Sequence, residues 1–299
     1  MVSKGSDNYQ YSVLMSVYHK ENAEYLRTAM DSIWNQTIST DDFVLVCDGP
    51  LNTELDSVIE NMQAAHPETL HVVRLEKNGG LGNALNIGIK ECKHELVARM
   101  DSDDISRADR CERQLKVFQT HPDVSVCSGT ILEFRYDIEN IIGKRELPQI
   151  DQDIKTFSHK RNPFNHPAVM FKRSVVEASG GYDETYHLFE DYYLWVRMFQ
   201  NGAVGYNTKE PLLYMRTPED LYMRRGGTAT PQICSDSTSG YAAPAGRVCQ
   251  TTSPGHSLTQ LFVCYRTVYE ELSTRSFTSR SPHPHIFSPS VQRTLSAGM

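Results

Sequence analysis

Acidic residues gather at three points where a carboxylate could do chemistry. The first is Arg99-Met100-Asp101-Ser102-Asp103-Asp104. Three carboxylates in so short a run repel one another unless a cation or solvent intervenes. Hard oxygen ligands suit Mg²⁺ or Mn²⁺, which bridge the phosphates of a nucleotide. Spacing alone leaves a solvated acidic turn ahead of the next helix as an equal reading. The second is Glu190-Asp191, opening the run EDYYLWVRMF. Leu194, Trp195, Met198 and Phe199 share one helical face, so the two acids stand at the N-terminus of a buried helix. Free N–H groups and the dipole favour acids there, and a general base held at a crevice needs the same position. The third is Asp48, in the turn Asp48-Gly49-Pro50.

These groups need a scaffold, and the pattern supplies one. Residues 12–17, 43–47, 70–75, 95–100 and 124–127 are apolar runs of strand length. Between them, residues 22–35, 52–65, 82–91 and 108–119 carry apolar residues at helical spacing. Strands alternating with helices at this interval predict an α/β fold, a mostly parallel sheet with helices on both faces. Ligands of such sheets bind beyond the carboxyl ends of the strands. Asp48 and Asp101 each follow a strand end and are expected to converge on one crevice.

Several other chemistries fit poorly. An EF-hand loop beginning at Asp101 would place Ile105 and Ser106 where an oxygen ligand and glycine are required. An aspartyl-phosphate phosphatase shares the D-x-D after a strand and stays open as a competitor, Ile105 being a near match to its pattern. Neither G-x-G-x-x-G nor G-x-x-x-x-G-K-[ST] occurs. Asn78-Gly79-Gly80-Leu81-Gly82-Asn83 could still bring backbone close to a ligand. The chain of 299 residues has a net charge of −7, which offers no electrostatic argument for nucleic acid. No apolar run reaches the length of a membrane span, and residues 1–10 carry no secretory pattern. The seven cysteines form no CxxC pair and read as reduced thiols of a cytoplasmic protein.

The chain changes character after Gly227. Residues 1–227 hold 25 basic and 34 acidic residues; residues 228–299 hold no lysine, 5 arginines and 3 acids, with 22 Ser or Thr. Few apolar side chains there offset the entropy of ordering. The expected organisation is one catalytic or binding domain over 1–227 and a Ser/Thr/Pro-rich tail over 228–299, disordered or foreign to the domain. Only residues 257–272 are expected to order, and the basic pairs Lys160-Arg161, Lys172-Arg173 and Arg224-Arg225 read as solvated surface.

Six stretches, in order, resemble family 2 glycosyltransferases with the GT-A fold, in particular those that build bacterial O-antigen, capsule or exopolysaccharide. They are residues 12–37, VLVCDGP, NGGLGNALNIG, ARMDSDDISRADR, NHPAVMFKRS and GGYDETYHLFEDYYLWVR. The resemblance implies that Ser16 and Tyr18 line a nucleoside pocket and that Asp48 accepts from the uracil N–H. It implies that Asn78, Gly80 and Asn83 lie near the donor. Asp101 and Asp103 match the D-x-D, with Asp103 as the direct ligand of Mn²⁺ or Mg²⁺. Asp191 matches the base of an inverting transfer, and Glu190 a sugar contact; His166 receives no catalytic role. The implied partners are a UDP-sugar and a lipid-diphosphate-linked saccharide, with peripheral contact at the inner membrane face. The stretch that follows Gly227 in the family is not recognisable here. A sugar-nucleotide-binding protein impaired in transfer is therefore the alternative from another class.

Overall fold

The structure, a computed structural model, describes residues 10–186 and 188–217. Its first half alternates strand and helix: β1 (Tyr11–Val17), α1 (Ala23–Trp34), β2 (Asp42–Cys47), α2 (Thr53–Ala65), β3 (Leu70–Arg74), α3 (Leu81–Glu91) and β4 (Leu96–Asp101). Asn22 starts α1 by accepting from the N–H groups of Glu24 and Tyr25, and Asn52 starts α2 by accepting from Leu55. The four strands are parallel, in the order β3-β2-β1-β4.

Period-two alternation divides these strands between two cores. Val13, Met15, Phe43 and Leu45 pack with Leu26, Met30 and Ile33 of α1 and with Leu55 and Ile59 of α2. Leu14, Val44 and Val46 face the other way, against Ala84, Leu85 and Ile89 of α3. Burial on both faces explains why the strands read as continuous apolar runs. Helix α3 lies so close to the sheet that a Cβ on Gly88 would stand 2.3 Å from a Leu14 methyl.

The second half is less regular: β5 (Ile105–Ser106), α4 (Arg110–Thr120), β6 (Val126–Arg135), β7 (Asp137–Arg145), α5 (Asp151–Ser158), β8 (Met170–Lys172), α6 (Arg173–Ala178), α7 (Glu190–Gln200) and β9 (Gly205–Arg216). The sheet continues β4-β8-β6-β9-β5, with β7 on β6. β8 is antiparallel to both β4 and β6, β6 is parallel to β9, and β5 is antiparallel to β9. The sheet is thus parallel over its first four strands and mixed beyond them. The strand expected at 124–127 runs on to Arg135, because it turns back at Tyr136 into a hairpin that needs no crossover helix.

Cys47, Cys92, Cys111 and Cys127 are buried free thiols, and burial raises each above its ordinary pKa. No described helix is long and apolar enough to cross a membrane. The 228–299 tail, its 257–272 stretch, Arg224-Arg225 and Cys234, Cys249 and Cys264 lie outside the described residues.

Candidate active site

The strand register aligns the carboxyl ends of β1, β2 and β4. Ser16 stands beside Val46 on one side and Asp101 on the other. Just past β2, the Asp48 N–H donates to Val17 O at 2.8 Å. The buried Asp48 carboxylate accepts from Gly79 N–H at 2.7 Å and Gly80 N–H at 3.0 Å, while Asn78 Nδ2 donates to Asp48 O at 3.1 Å. Asp48 is therefore the latch that folds the 78–80 loop over the strand end. The latch needs Gly49: its φ is +88°, and a Cβ there would lie 2.6 Å from Asn78 N. Asn83 packs over Gly79 closely enough to exclude a Cβ, and the start of α3 faces α7, Gly82 lying against Glu190.

The acidic turn begins at the end of β4. One oxygen each from Asp101, Asp103 and Asp104 lies within 4.8 Å of the others. Arg99, two residues earlier on the same face of β4, is buried and ion-paired to Asp101. Ser102 donates to Glu21 at 2.6 Å. Burial, then the charges of Asp101 and Glu21, push Asp103 up to about 7. Burial, then the charge of Asp103, raises Asp104 well above the ordinary range. Asp104 Oδ1 accepts from Arg216 N–H at 2.9 Å; its Oδ2 is buried with no hydrogen-bond partner among the described residues. An all-oxygen donor set whose charge Arg99 offsets only in part fits a hard divalent cation.

Asp191 opens α7. Its carboxylate accepts from its neighbour's N–H, Tyr192, at 2.7 Å and from Asn162 Nδ2. Burial raises it, against the opposing pull of those two hydrogen bonds and of Arg99. Arg99 also acts on His166 and Tyr182, which are hydrogen-bonded to each other at 2.9 Å. Burial and the Arg99 charge hold His166 well below its ordinary pKa, so its ring is neutral. Tyr182 is fixed at both backbone groups by Asn86 of α3. One buried guanidinium thus pairs with the acidic turn and also acts electrostatically on the α7 carboxylate.

Residues 12–179 match the family described as Glycosyl transferase family 2. This chain belongs to glycosyltransferase family 2. It is 38% identical over 218 residues to the amylovoran biosynthesis glycosyltransferase AmsE of Erwinia amylovora, covering 73% of this chain and 80% of that protein. It is 38% identical over 221 residues to the UDP-Gal:alpha-D-GlcNAc-diphosphoundecaprenol beta-1,3-galactosyltransferase of Escherichia coli, covering 74% of this chain and 79% of that one. Among solved structures, the mannosyltransferase PcManGT of Pyrobaculum calidifontis, in complex with GDP-Man and Mn²⁺, aligns with a TM-score of 0.56 at 18% identity. That alignment spans 72% of this chain and 59% of PcManGT and establishes the GT-A fold.

Within this glycosyltransferase, most of the expected residues come together. Ser16 adjoins Asp101; Asp48 holds Asn78 and Gly80, with Asn83 behind them; Glu190 meets the start of α3. Tyr18 stands exposed on the turn after β1, its ring edge-on to His19 at 5.7 Å. Four residues at the site went unassigned from sequence: Arg99, Asn162, Tyr182 and Arg216. Arg99 carried a signal, a cation in the middle of a buried apolar strand. Asn162 and Arg216 carried none, because chain folding alone brings them to the acids.

Proposed function

We propose that this glycosyltransferase moves a hexose or N-acetylhexosamine from a UDP-sugar to a lipid-diphosphate-linked saccharide, with inversion, in the synthesis of a bacterial surface polysaccharide. The observation that carries the reading is the convergence of two different acidic groups at the carboxyl end of the sheet. The named activities of the Erwinia amylovora and Escherichia coli relatives support the class of product, donor and acceptor. UDP-galactose is the favoured donor on that similarity.

Each residue has a task in this reading. Ser16, Tyr18 and Asp48 border the nucleoside; Asp48 keeps lone pairs for the uracil N–H beyond the two backbone donors it already serves. Asn78, Gly80 and Asn83 shape the donor side. Asp103 and Asp101 hold Mn²⁺ or Mg²⁺, an assignment the Mn²⁺ complex of PcManGT also favours. When bound, the cation supplies charge neutralisation for the diphosphate leaving group. Asp191 accepts the proton of the acceptor hydroxyl as that oxygen bonds to the anomeric carbon. The carbon–oxygen bond to UDP breaks on the opposite face, so a single displacement inverts the centre. Glu190 lies against the start of α3 and contacts the sugar. The raised pKa of Asp191 strengthens it as a base, and the Asn162 and Tyr192 hydrogen bonds aim its carboxylate. The transferase unit is assigned to 1–227, and the lipid-linked acceptor brings it to the inner membrane face as a peripheral protein.

Calorimetric titration of UDP tests the donor half. Wild type is expected to bind UDP in a Mn²⁺-dependent manner, and Asp103→Ala is expected to lose that dependence. Metal-independent binding of equal strength in both proteins would remove Asp103 from the donor site.

A further inference from the structure

Arg216, the last residue of β9, touches the acidic turn without contributing a carboxylate to it. Its backbone N–H donates to Asp104 Oδ1 at 2.9 Å, and its Nε donates to the carbonyl of Asp103 at 3.0 Å. The guanidinium lies over two rings. Its central carbon lies 3.8 Å from the ring centre of Tyr25, on α1, and 4.7 Å from that of Phe134, on β6. The register supports the second contact, since Phe134 and Arg216 are paired across β6 and β9. Two segments distant in sequence, α1 and β6, therefore hold one side chain onto the turn.

The hydrogen bond from Nε ends on a main-chain carbonyl. It fixes the turn's backbone and leaves the Asp103 carboxylate for a ligand. A flexible ammonium could not do both; the planar guanidinium stacks on rings through its faces and donates through its edge.

We propose that Arg216 is a positioning residue that presents the Asp101–Asp104 turn to a divalent cation, its guanidinium held by the rings of Tyr25 and Phe134. The inference rests on the metal site proposed above. Arg216→Ala keeps the backbone N–H to Asp104 and so tests the side chain alone.

The experiment is a Mn²⁺ titration of the full chain, followed by electron paramagnetic resonance of the free ion, with and without UDP. Arg216→Ala is expected to weaken Mn²⁺ binding about tenfold or more, as loss of a residue supporting a metal ligand does. Arg216→Lys is expected to restore little of it. Tyr25→Leu, on the outer helix α1, is expected to weaken it about two- to threefold and guards against a folding defect in the first variant. Unchanged Mn²⁺ affinity in folded Arg216→Ala overturns the inference, as does full rescue by lysine. The donor reading fails separately: Mn²⁺ binding that weakens in Arg216→Ala while UDP never binds keeps the positioning role and removes the UDP-sugar.

Discussion

Two acidic sites act on the same buried residue, Tyr182, and they differ in what compensates their charge. At the end of β4, three carboxylates crowd together around one ion pair, one backbone N–H to Asp104 and a buried oxygen with no hydrogen-bond partner among the described residues. At the start of α7, a single aspartate is served by two aimed donors, Asn162 and the Tyr192 N–H. Burial raises both sites; repulsion by neighbouring carboxylates ranks next in the first, whereas at Asp191 the repulsion from Glu190 comes last among the causes. Crowding that Arg99 and Arg216 compensate only in part suits a site completed by a cation. A lone acid, raised yet well oriented, suits the exchange of one proton with a substrate. Arg99 pairs with the first and favours the ionised form of the second.

The largest effect expected from this contrast is on Asp191. Asp191→Asn keeps the shape and the helix start but cannot accept a proton. Transfer should fall about 10²- to 10⁴-fold, as for loss of a general base. Mn²⁺-dependent UDP affinity should not change, because the donor side is built from other residues. Steady-state transfer assays paired with UDP calorimetry measure the two together. Equal losses in both would merge the two sites into one and break the comparison.

The same contrast explains what could be read from the letters. The parallel half was legible because strands buried on both faces give unbroken apolar runs, and each helix carries its own period, with an Asn cap on α1 and α2. Asp48 and Asp101 followed, since a parallel sheet gathers its strand ends at one edge; the part given to Asp103 came from the resemblance to the family's D-x-D. The mixed half was not: β8 is three residues long and β5 two, too short for any periodicity to register. Its functional residues suffer likewise. Asn162 lies in a loop after α5 yet reaches Asp191, and Arg216 ends a strand whose partner is fixed only by long-range pairing. Arg99 sat in view within the acidic motif, but its role depends on Asp191, His166 and Tyr182, which arrive from later in the chain.

A second, smaller effect sharpens the difference in charge. Asp103 rises from 3.8 to about 7 on folding, so between those values the folded protein binds more protons than the unfolded chain. In the absence of metal, this contribution is fully present below the lower value and is lost as pH rises through about 7. A cation competes with those protons. The rise in Tm caused by saturating Mn²⁺ should therefore grow between about pH 5 and pH 8. Asp103→Asn should flatten that trend, and Asp191→Asn should leave it intact. Thermal shifts across this range decide it, and a Mn²⁺ effect independent of pH in wild type would deny the acidic turn its cation.

The smallest effect concerns the aim of Asp191 rather than its presence. Asn162 donates to that carboxylate and favours its ionised form. Asn162→Ala removes the bond, so the carboxyl should rise further above its ordinary value. Transfer requires the ionised base, and its acid limb should accordingly move to higher pH in the variant. Above that limb the remaining loss should be only severalfold, because the Tyr192 N–H still orients the group. Stability should fall by about 1 kcal/mol, the usual cost of one such hydrogen bond. The pH profile of kcat/KM separates these outcomes. A uniform loss at every pH, with the limb unmoved, would mean that Asn162 supports the fold around α7 and does not tune the base.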